Sequence, residues 1–207
     1  MKNDFDIYCI NLKDREDRWR HIRINKTEMD FEGEIIRMDA IKHKKGFVGC
    51  GLSHQKAIKI AKEKKLDKIL VIEDDCLFKN GSFEHFLNCI EQLPEDWDVL
   101  TGGVSWFLHD RRTVKRVSKN LVKLSDFAAS HFFLYKSSSY NKILQWQKDR
   151  HIDRYMGSLC RSKKLNVYCS TPFIARQIAD FSDVKQKEVN FNGHFNRFEH
   201  GLVNIKN

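Results

Sequence analysis

The segment I-L-V-I-E-D-D-C-L-F, Ile69 to Phe78, sets three consecutive carboxylates at the end of an apolar run. Such a run reads as a strand buried on both faces, and bare buried carboxylates are costly unless they are paired, exposed or bound to a cation. In open α/β sheets, ligands bind at the carboxyl ends of the strands. Glu73 and Asp75 are two apart and point to one side if the strand persists. Oxygen donors of this kind suit Mg2+ or Mn2+, which commonly bridge a carboxylate to phosphate oxygens. The alternative is an acidic turn with a structural Lys or Arg partner.

Two further stretches carry residue types suited to chemistry. G-F-V-G-C-G-L-S-H, Gly46 to His54, holds three glycines in six residues ahead of a helix. Glycines let backbone approach a ligand closely, and helix N-termini bind anions. The spacing matches neither a Walker loop nor a dinucleotide fingerprint. The plain alternative is a tight loop with Ser53 capping the helix and His54 as a hydrogen-bonded core histidine, without a His-x-x-x-His partner for zinc. I-N-L-K-D-R-E-D-R, Ile10 to Arg18, places Arg15 and Arg18 directly after the first strand. Arginine suits bidentate contact to phosphate or carboxylate. Ion pairs with Asp14 and Asp17 on a solvated helix face would explain the same residues.

Behind these residues lie the elements that must position them. Phe5 to Leu12 reads as a buried strand, Arg15 to Met29 as a charged surface helix and Glu34 to Met38 as a second strand. Asp39 to Gly49 reads as a loop, Leu52 to Lys64 as an amphipathic helix and Lys68 to Ile72 as a third strand. This alternation is that of an α/β domain with a mostly parallel sheet. The second half is less regular. It offers a helix over Phe83 to Leu93 capped by Ser82, a strand at Trp97 to Leu100, and a hairpin of Thr113 to Val117 with Leu121 to Leu124. Then follow a strand at His131 to Tyr135, helices at Ser138 to Trp146 and Asp153 to Cys160, a late strand at Leu165 to Cys169, and a polar, irregular tail from Ile178. With no Pro- or Ser-rich linker, residues 1–207 read as a single domain, with room for it to be one domain of a longer protein.

Composition narrows the classes. Among 207 residues, 41% hydrophobic and 12% aromatic content excludes a disordered chain, and 2 Pro with 10 Gly excludes a collagen-like one. Lys and Arg outnumber Asp and Glu by 37 to 28, which favours an anionic partner without choosing among nucleic acid, lipid and phosphorylated small molecules. The N-terminus lacks the apolar core of a signal peptide, and no apolar run is long enough to span a membrane. Six cysteines without a Cys-x-x-Cys pair disfavour a zinc knuckle and fit a reducing, cytoplasmic compartment, with Cys9, Cys76 and Cys169 as small core residues. The sequons at Asn25 and Asn80 read as chance.

The features occur together in a definite order: I-N-L-K-D-R-E-D-R, then Arg37-Met38-Asp39-Ala40, then G-C-G-L-S-H-Q-K-A-I, then V-I-E-D-D. In this the chain resembles glycosyltransferase family 25, which includes lipopolysaccharide-type glycosyltransferases and the collagen galactosyltransferase group. The resemblance runs from Ile7 to Phe78 and resumes at His131 to Tyr135, Ile152-Asp153, Thr171-Pro172 to Gln177 and Ser182-Asp183-Val184. It implies the single-domain α/β sugar-nucleotide fold called GT-A, to which the residues themselves add the small β-hairpin in the second half. It also implies Mn2+ or Mg2+ as cofactor and a UDP-hexose donor. Asp75 would ligate the metal. Glu73 stands where many such enzymes carry the first Asp of an Asp-x-Asp motif, facing ribose or metal-bound water, with Asp74 beside the donor. Asp39 would read the uracil or ribose edge, Asn11 and Arg15 would line the nucleotide pocket, and Gly49, Ser53 and His54 would lie against the donor. A late His194 would complete the metal site.

Sugar transfer from a nucleoside diphosphate passes through an oxocarbenium-like state while charge grows on the leaving diphosphate, so a divalent ion and basic groups stabilise it. An inverting enzyme also needs a carboxylate base for the acceptor hydroxyl on a glycan or glycoconjugate. Asp153, in H-I-D-R, is the candidate base, and capping of the following helix is its structural alternative. Two other classes compete: a basic nucleic-acid-binding module using Lys42 to Lys45 near Phe47, and a metal-dependent phosphohydrolase using Glu73, Asp74 and Asp75. The leading reading expects no nucleic-acid partner.

Overall fold

The computed structural model describes residues 5–108, 114–182 and 184–205. Thr113, at the start of the expected hairpin, and Asp183, in one of the resembling motifs, lie outside them. In chain order the elements are β1 (Asp6–Asn11), α1 (Glu16–Glu28), β2 (Ile35–Asp39), α2 (Gly46–Glu63), β3 (Lys68–Glu73), β4 (Cys76–Phe78), α3 (Ser82–Glu91), β5 (Val99–Thr101) and β6 (Trp106–Phe107). There follow β7 (Lys115–Ser118), β8 (Leu121–Leu124), β9 (Phe127–Ala128), β10 (Phe132–Lys136), α4 (Ser137–Leu144) and α5 (Ile152–Arg161). The last are β11 (Val167–Ser170), β12 (Ala175–Gln177), β13 (Asp180–Ser182), β14 (Lys187–Val189) and α6 (Asn192–Val203).

An eight-stranded sheet with the order β2-β1-β3-β10-β5-β11-β8-β7 organises these elements. The β1 strand is parallel to both β2 and β3, and β5 is parallel to β11. Only β10 and β8 run against the rest. The sheet is therefore mostly parallel, with the β7–β8 hairpin added at one edge through β11. Side chains alternate across it. Tyr8, Ile10, Ile69, Val71, Phe133 and Tyr135 face one apolar layer, into which Ala57 and Ile58 of α2, Ile143 of α4 and Met156 of α5 pack. Ile7, Cys9, Leu70, Ile72, Phe132 and Leu134 face the other, against Ile22 of α1 and Phe86 of α3. Burial on both faces is why β1 and β3 read as continuous apolar runs.

Three expectations are corrected. The Gly46 to Gly49 stretch is not loop: α2 starts at Gly46, well before Leu52. Its glycines serve packing. A Cβ at Gly49 would collide with the Ile41 carbonyl, and one at Gly51 with the Trp146 ring. Second, Ser53 is inside α2 and does not cap it. Its hydroxyl donates to the Gly49 carbonyl and accepts from the Ile41 N–H, both at 2.8 Å, fastening the 41–43 loop to the helix. Third, the tail is more regular than its polarity suggests, forming the β13–β14 hairpin and α6. Helix α3 likewise begins at Ser82 with Gly81, at φ +62°, in the capping position.

Candidate active site

Three neighbouring parallel strands, β2, β1 and β3, end at one edge of the sheet in Asp39, Asn11 and Glu73. A cleft of about 200 Å³ opens there. Its walls are the segments following those strands, the first turns of α1 and α2, and the β13–β14 hairpin, which contributes Ser182, Val184 and Gln186. The alternation of strand and helix in the sequence thus builds the cleft where α/β sheets bind ligands.

The acidic motif lines this cleft through all three of its members. The strand does not persist to carry it, because β3 stops at Glu73 and Asp74-Asp75 form a turn before β4. Asp74 accepts a 2.6 Å hydrogen bond from Asn11 Nδ2. One oxygen of Asp75, Oδ2, accepts from Gln177 Nε2 at 2.8 Å, and its backbone carbonyl accepts from the Ile178 N–H, so the β4–β12 ladder aims the side chain. The other oxygen, Oδ1, is buried without a partner. Desolvation, with the neighbouring charges of Glu73 and Asp74, pushes Asp75 up to about 8. Burial likewise lifts Asp74 to about 6, against the opposing pull of Asn11 and Arg18. Glu73 behaves differently. Burial acts to raise it, but His54, Ser130 and His131 together hold it below the usual carboxylate range.

Cationic groups face these acids. Arg15, Arg18 and Lys42 line the same cleft. Arg18 is the most enclosed: Nη2 donates to the Phe181 carbonyl at 2.8 Å, Nε lies 3.2 Å from Asp180, and Nη1 is buried with no hydrogen-bond partner among the described residues. Arg15 pairs with Asp17, and Lys42 with Asp14. The ion pairs offered as the plain alternative do form for Arg15, yet its side chain still borders the cleft.

The remaining candidates separate into groups. Gly49 and Ser53 line the cleft with Gly46 and Cys50. Asn11 is fully buried and borders nothing: it donates to Asp74 and to the Arg15 carbonyl, and accepts from Arg37 Nε at 2.8 Å. It is a junction that orients the acidic turn. His54 is also fully buried, with Nε2 3.2 Å from Glu73 Oε1 and Nδ1 3.1 Å from the Tyr135 hydroxyl. This is the hydrogen-bonded core histidine considered above. Asp39 is exposed at the end of β2 and lies outside the cleft lining. His194 is exposed on α6, edge-on to Phe191, and is likewise outside it. Asp153 sits in the first turn of α5, after a cap at His151. One of its oxygens accepts from the Ala129 N–H at 2.9 Å and the other from the Arg154 N–H at 2.7 Å. Burial raises its pKa, and it too is absent from the lining. Two contributors escaped selection from sequence: Gln177, far along the chain, and Cys50. The latter had a usable signal, since Cys50 and His54 stand four apart and share one helix face.

Residues 44–158 match glycosyltransferase family 25 (LPS biosynthesis protein). The chain belongs to glycosyltransferase family 25. The match takes in α2 and the acidic turn and ends within α5, past Asp153. Among curated proteins, this family 25 chain is 27% identical over 168 residues to procollagen galactosyltransferase 2 of Mus musculus, covering 64% of this chain and 26% of that protein. The Homo sapiens protein of the same name is 28% identical over 134 residues, covering 49% and 21%. The chain therefore spans about a quarter of the length of these relatives. Among solved structures, A197 from STIV aligns with TM-score 0.50 at 14% identity, over 89% of this chain and 93% of that one, a likeness of fold alone.

Proposed function

We propose that this family 25 chain transfers a hexose from a nucleotide sugar, UDP-linked, to a hydroxyl of a glycan or glycoconjugate, using Mn2+ or Mg2+. One observation carries the reading. Asp75 and Arg18 both line the cleft, and each has a buried side-chain atom, Asp75 Oδ1 and Arg18 Nη1, with no hydrogen-bond partner among the described residues. Each lacks a partner that only a ligand from the cleft would supply, and the needs are of opposite sign. A diphosphate with its divalent ion meets both.

The donor set fits a hard cation: Asp75 and Asp74 offer oxygens, held by Gln177 and Asn11 respectively. A divalent ion there compensates the charge that grows on the departing diphosphate. Arg18, with Arg15 and Lys42 beside it, binds phosphate oxygens from the opposite wall. The β13–β14 hairpin holds Arg18 through the Phe181 carbonyl. The name of the curated relatives, procollagen galactosyltransferase 2, supports a hexose as the group transferred. The Asp-x-Asp-like placement of Glu73 to Asp75 supports the GT-A assignment.

Turnover tests the proposal. Incubation with UDP-galactose or UDP-glucose and Mn2+, with simple glycosides as acceptors, should release UDP and form a glycoside product. Chelation should stop it. Failure to consume any nucleotide sugar in the presence of Mn2+ would remove the proposed activity.

A further inference from the structure

Beside the acidic turn lies a second set of donors of different character. Cys50 Sγ, His54 Nε2 and Glu73 Oε1 all lie within 4.8 Å of one another. The sulfur is 3.5 Å from Glu73 Oε1, and the ring nitrogen is 3.2 Å from the same oxygen. Bonds of about 2.0 Å to oxygen and nitrogen and 2.3 Å to sulfur set tetrahedral ligand atoms roughly 3.3–3.5 Å apart. The spacing already approaches that of a coordinated triad.

Each ligand is held from behind. Cys50 and His54 are one helical turn apart on α2, so their side chains leave the same face toward the end of β3. His54 is fully enclosed, packed on the Phe133 ring at 5.8 Å, with Tyr135 Oη 3.1 Å from Nδ1. A hydroxyl can accept as well as donate, so Tyr135 can accept a hydrogen bond from Nδ1–H and leave Nε2 bare for a metal. Cys50 and Glu73 border the cleft, which gives an ion a way in and leaves a fourth position facing solvent or ligand.

We propose that Cys50, His54 and Glu73 form a three-ligand site for a thiophilic divalent ion of the zinc class. The site is distinct from the oxygen-only pair Asp74 and Asp75. A thiolate and an imidazole select a softer ion than carboxylates do. Binding balances in charge and protons: the Cys50 S–H proton leaves to solvent, the imidazole proton moves to Nδ1, and thiolate plus carboxylate neutralise the dication. Occupancy ties α2 to the end of β3. The inference goes beyond sugar transfer and is tested without any nucleotide, so the two can fail separately.

The test is Co2+ titration of the purified full chain, read by absorbance. One equivalent should produce a thiolate-to-cobalt charge-transfer band in the near ultraviolet and the strong visible bands of a four-coordinate ion, and Zn2+ should abolish both. Cys50→Ser should lose the charge-transfer band. Glu73→Gln should weaken Co2+ binding at least tenfold, and Tyr135→Phe by about 10–100-fold, as for loss of an outer-shell partner. Asp75→Asn should leave the spectrum unchanged. No charge-transfer band in the wild type, or the same band in folded Cys50→Ser, would overturn the site.

Discussion

Arg18 is where the electrostatics of the cleft become most specific. Two faces of its guanidinium are spoken for by Phe181 and Asp180, and Nη1 is left pointing at no acceptor. A buried donor left unmade costs about 1–3 kcal/mol, and a charged hydrogen bond to ligand recovers a comparable amount. Arg18→Met should therefore lower UDP affinity by roughly 10–100-fold while leaving the unfolding temperature of the free protein unchanged or higher. Parallel calorimetry of UDP binding and thermal unfolding checks this; unchanged affinity would take Arg18 out of the site. Its place was only half legible in the sequence. The I-N-L-K-D-R-E-D-R run shows an arginine after a strand, but the partners Asp180 and Phe181 stand more than 160 positions later, and no local pattern announces them. The same holds for Gln177 and Asp75. The acidic triplet itself was legible because three carboxylates ending an apolar strand violate the ordinary economy of burial.

At the scale of elements, the first strands follow directly from hydrophobic pattern, since each buried strand carries a continuous apolar run. Helix α2 resisted this reading. Glycine is a poor helix former, so Gly46, Gly49 and Gly51 suggest a loop. They sit in the helix because the 41–43 loop and Trp146 come too close for any Cβ at 49 or 51, a tertiary demand that overrides propensity. Helix α5 raises the question of Asp153. Both its oxygens accept backbone N–H groups, and the one from Ala129 secures the segment leading to Ser130 and His131 beside Glu73. Ala129 is at φ +123°, where an alanine is strained and must be held. Asp153→Asn turns an amide N–H₂ toward one of those donors. It should cost about 1–3 kcal/mol of stability, with turnover of the folded fraction changed less than fivefold. A fall of about 10²–10⁴ in transfer with donor binding intact would instead restore Asp153 as general base.

Across the whole molecule, one sheet carries two apolar layers, and the cleft with its acids and arginines opens at the ends of β2, β1 and β3. His131 immediately precedes β10, beside the end of β3, fully buried and edge-on to Phe195, with neither ring nitrogen meeting a hydrogen-bond partner among the described residues. Desolvation lowers its pKa to about 4. An unfolded chain binds this proton near 6.5, so between those values the unfolded state holds more protons and stability falls as pH falls. The stability from a neutral His131 is present above about pH 6.5 and is lost as pH drops through about 4. Wild type should lose up to about 3 kcal/mol relative to His131→Leu across that window. Denaturant unfolding at several pH values measures it, and a difference independent of pH would contradict the buried neutral histidine. The excess of 37 Lys and Arg over 28 acids suits anionic ligands generally.

Calorimetric titration of UDP into the purified chain, with Mn2+ and again with chelator, asks directly whether the strand-end cleft is a cation–diphosphate site. Wild type should bind UDP at least tenfold more tightly with Mn2+. Asp75→Asn, which removes the unpartnered oxygen's charge but keeps the bond from Gln177 within reach, should bind UDP equally in both conditions. Equal affinity with and without Mn2+ in the wild type, or a full Mn2+ effect in Asp75→Asn, would contradict the placement of the cation on Asp75.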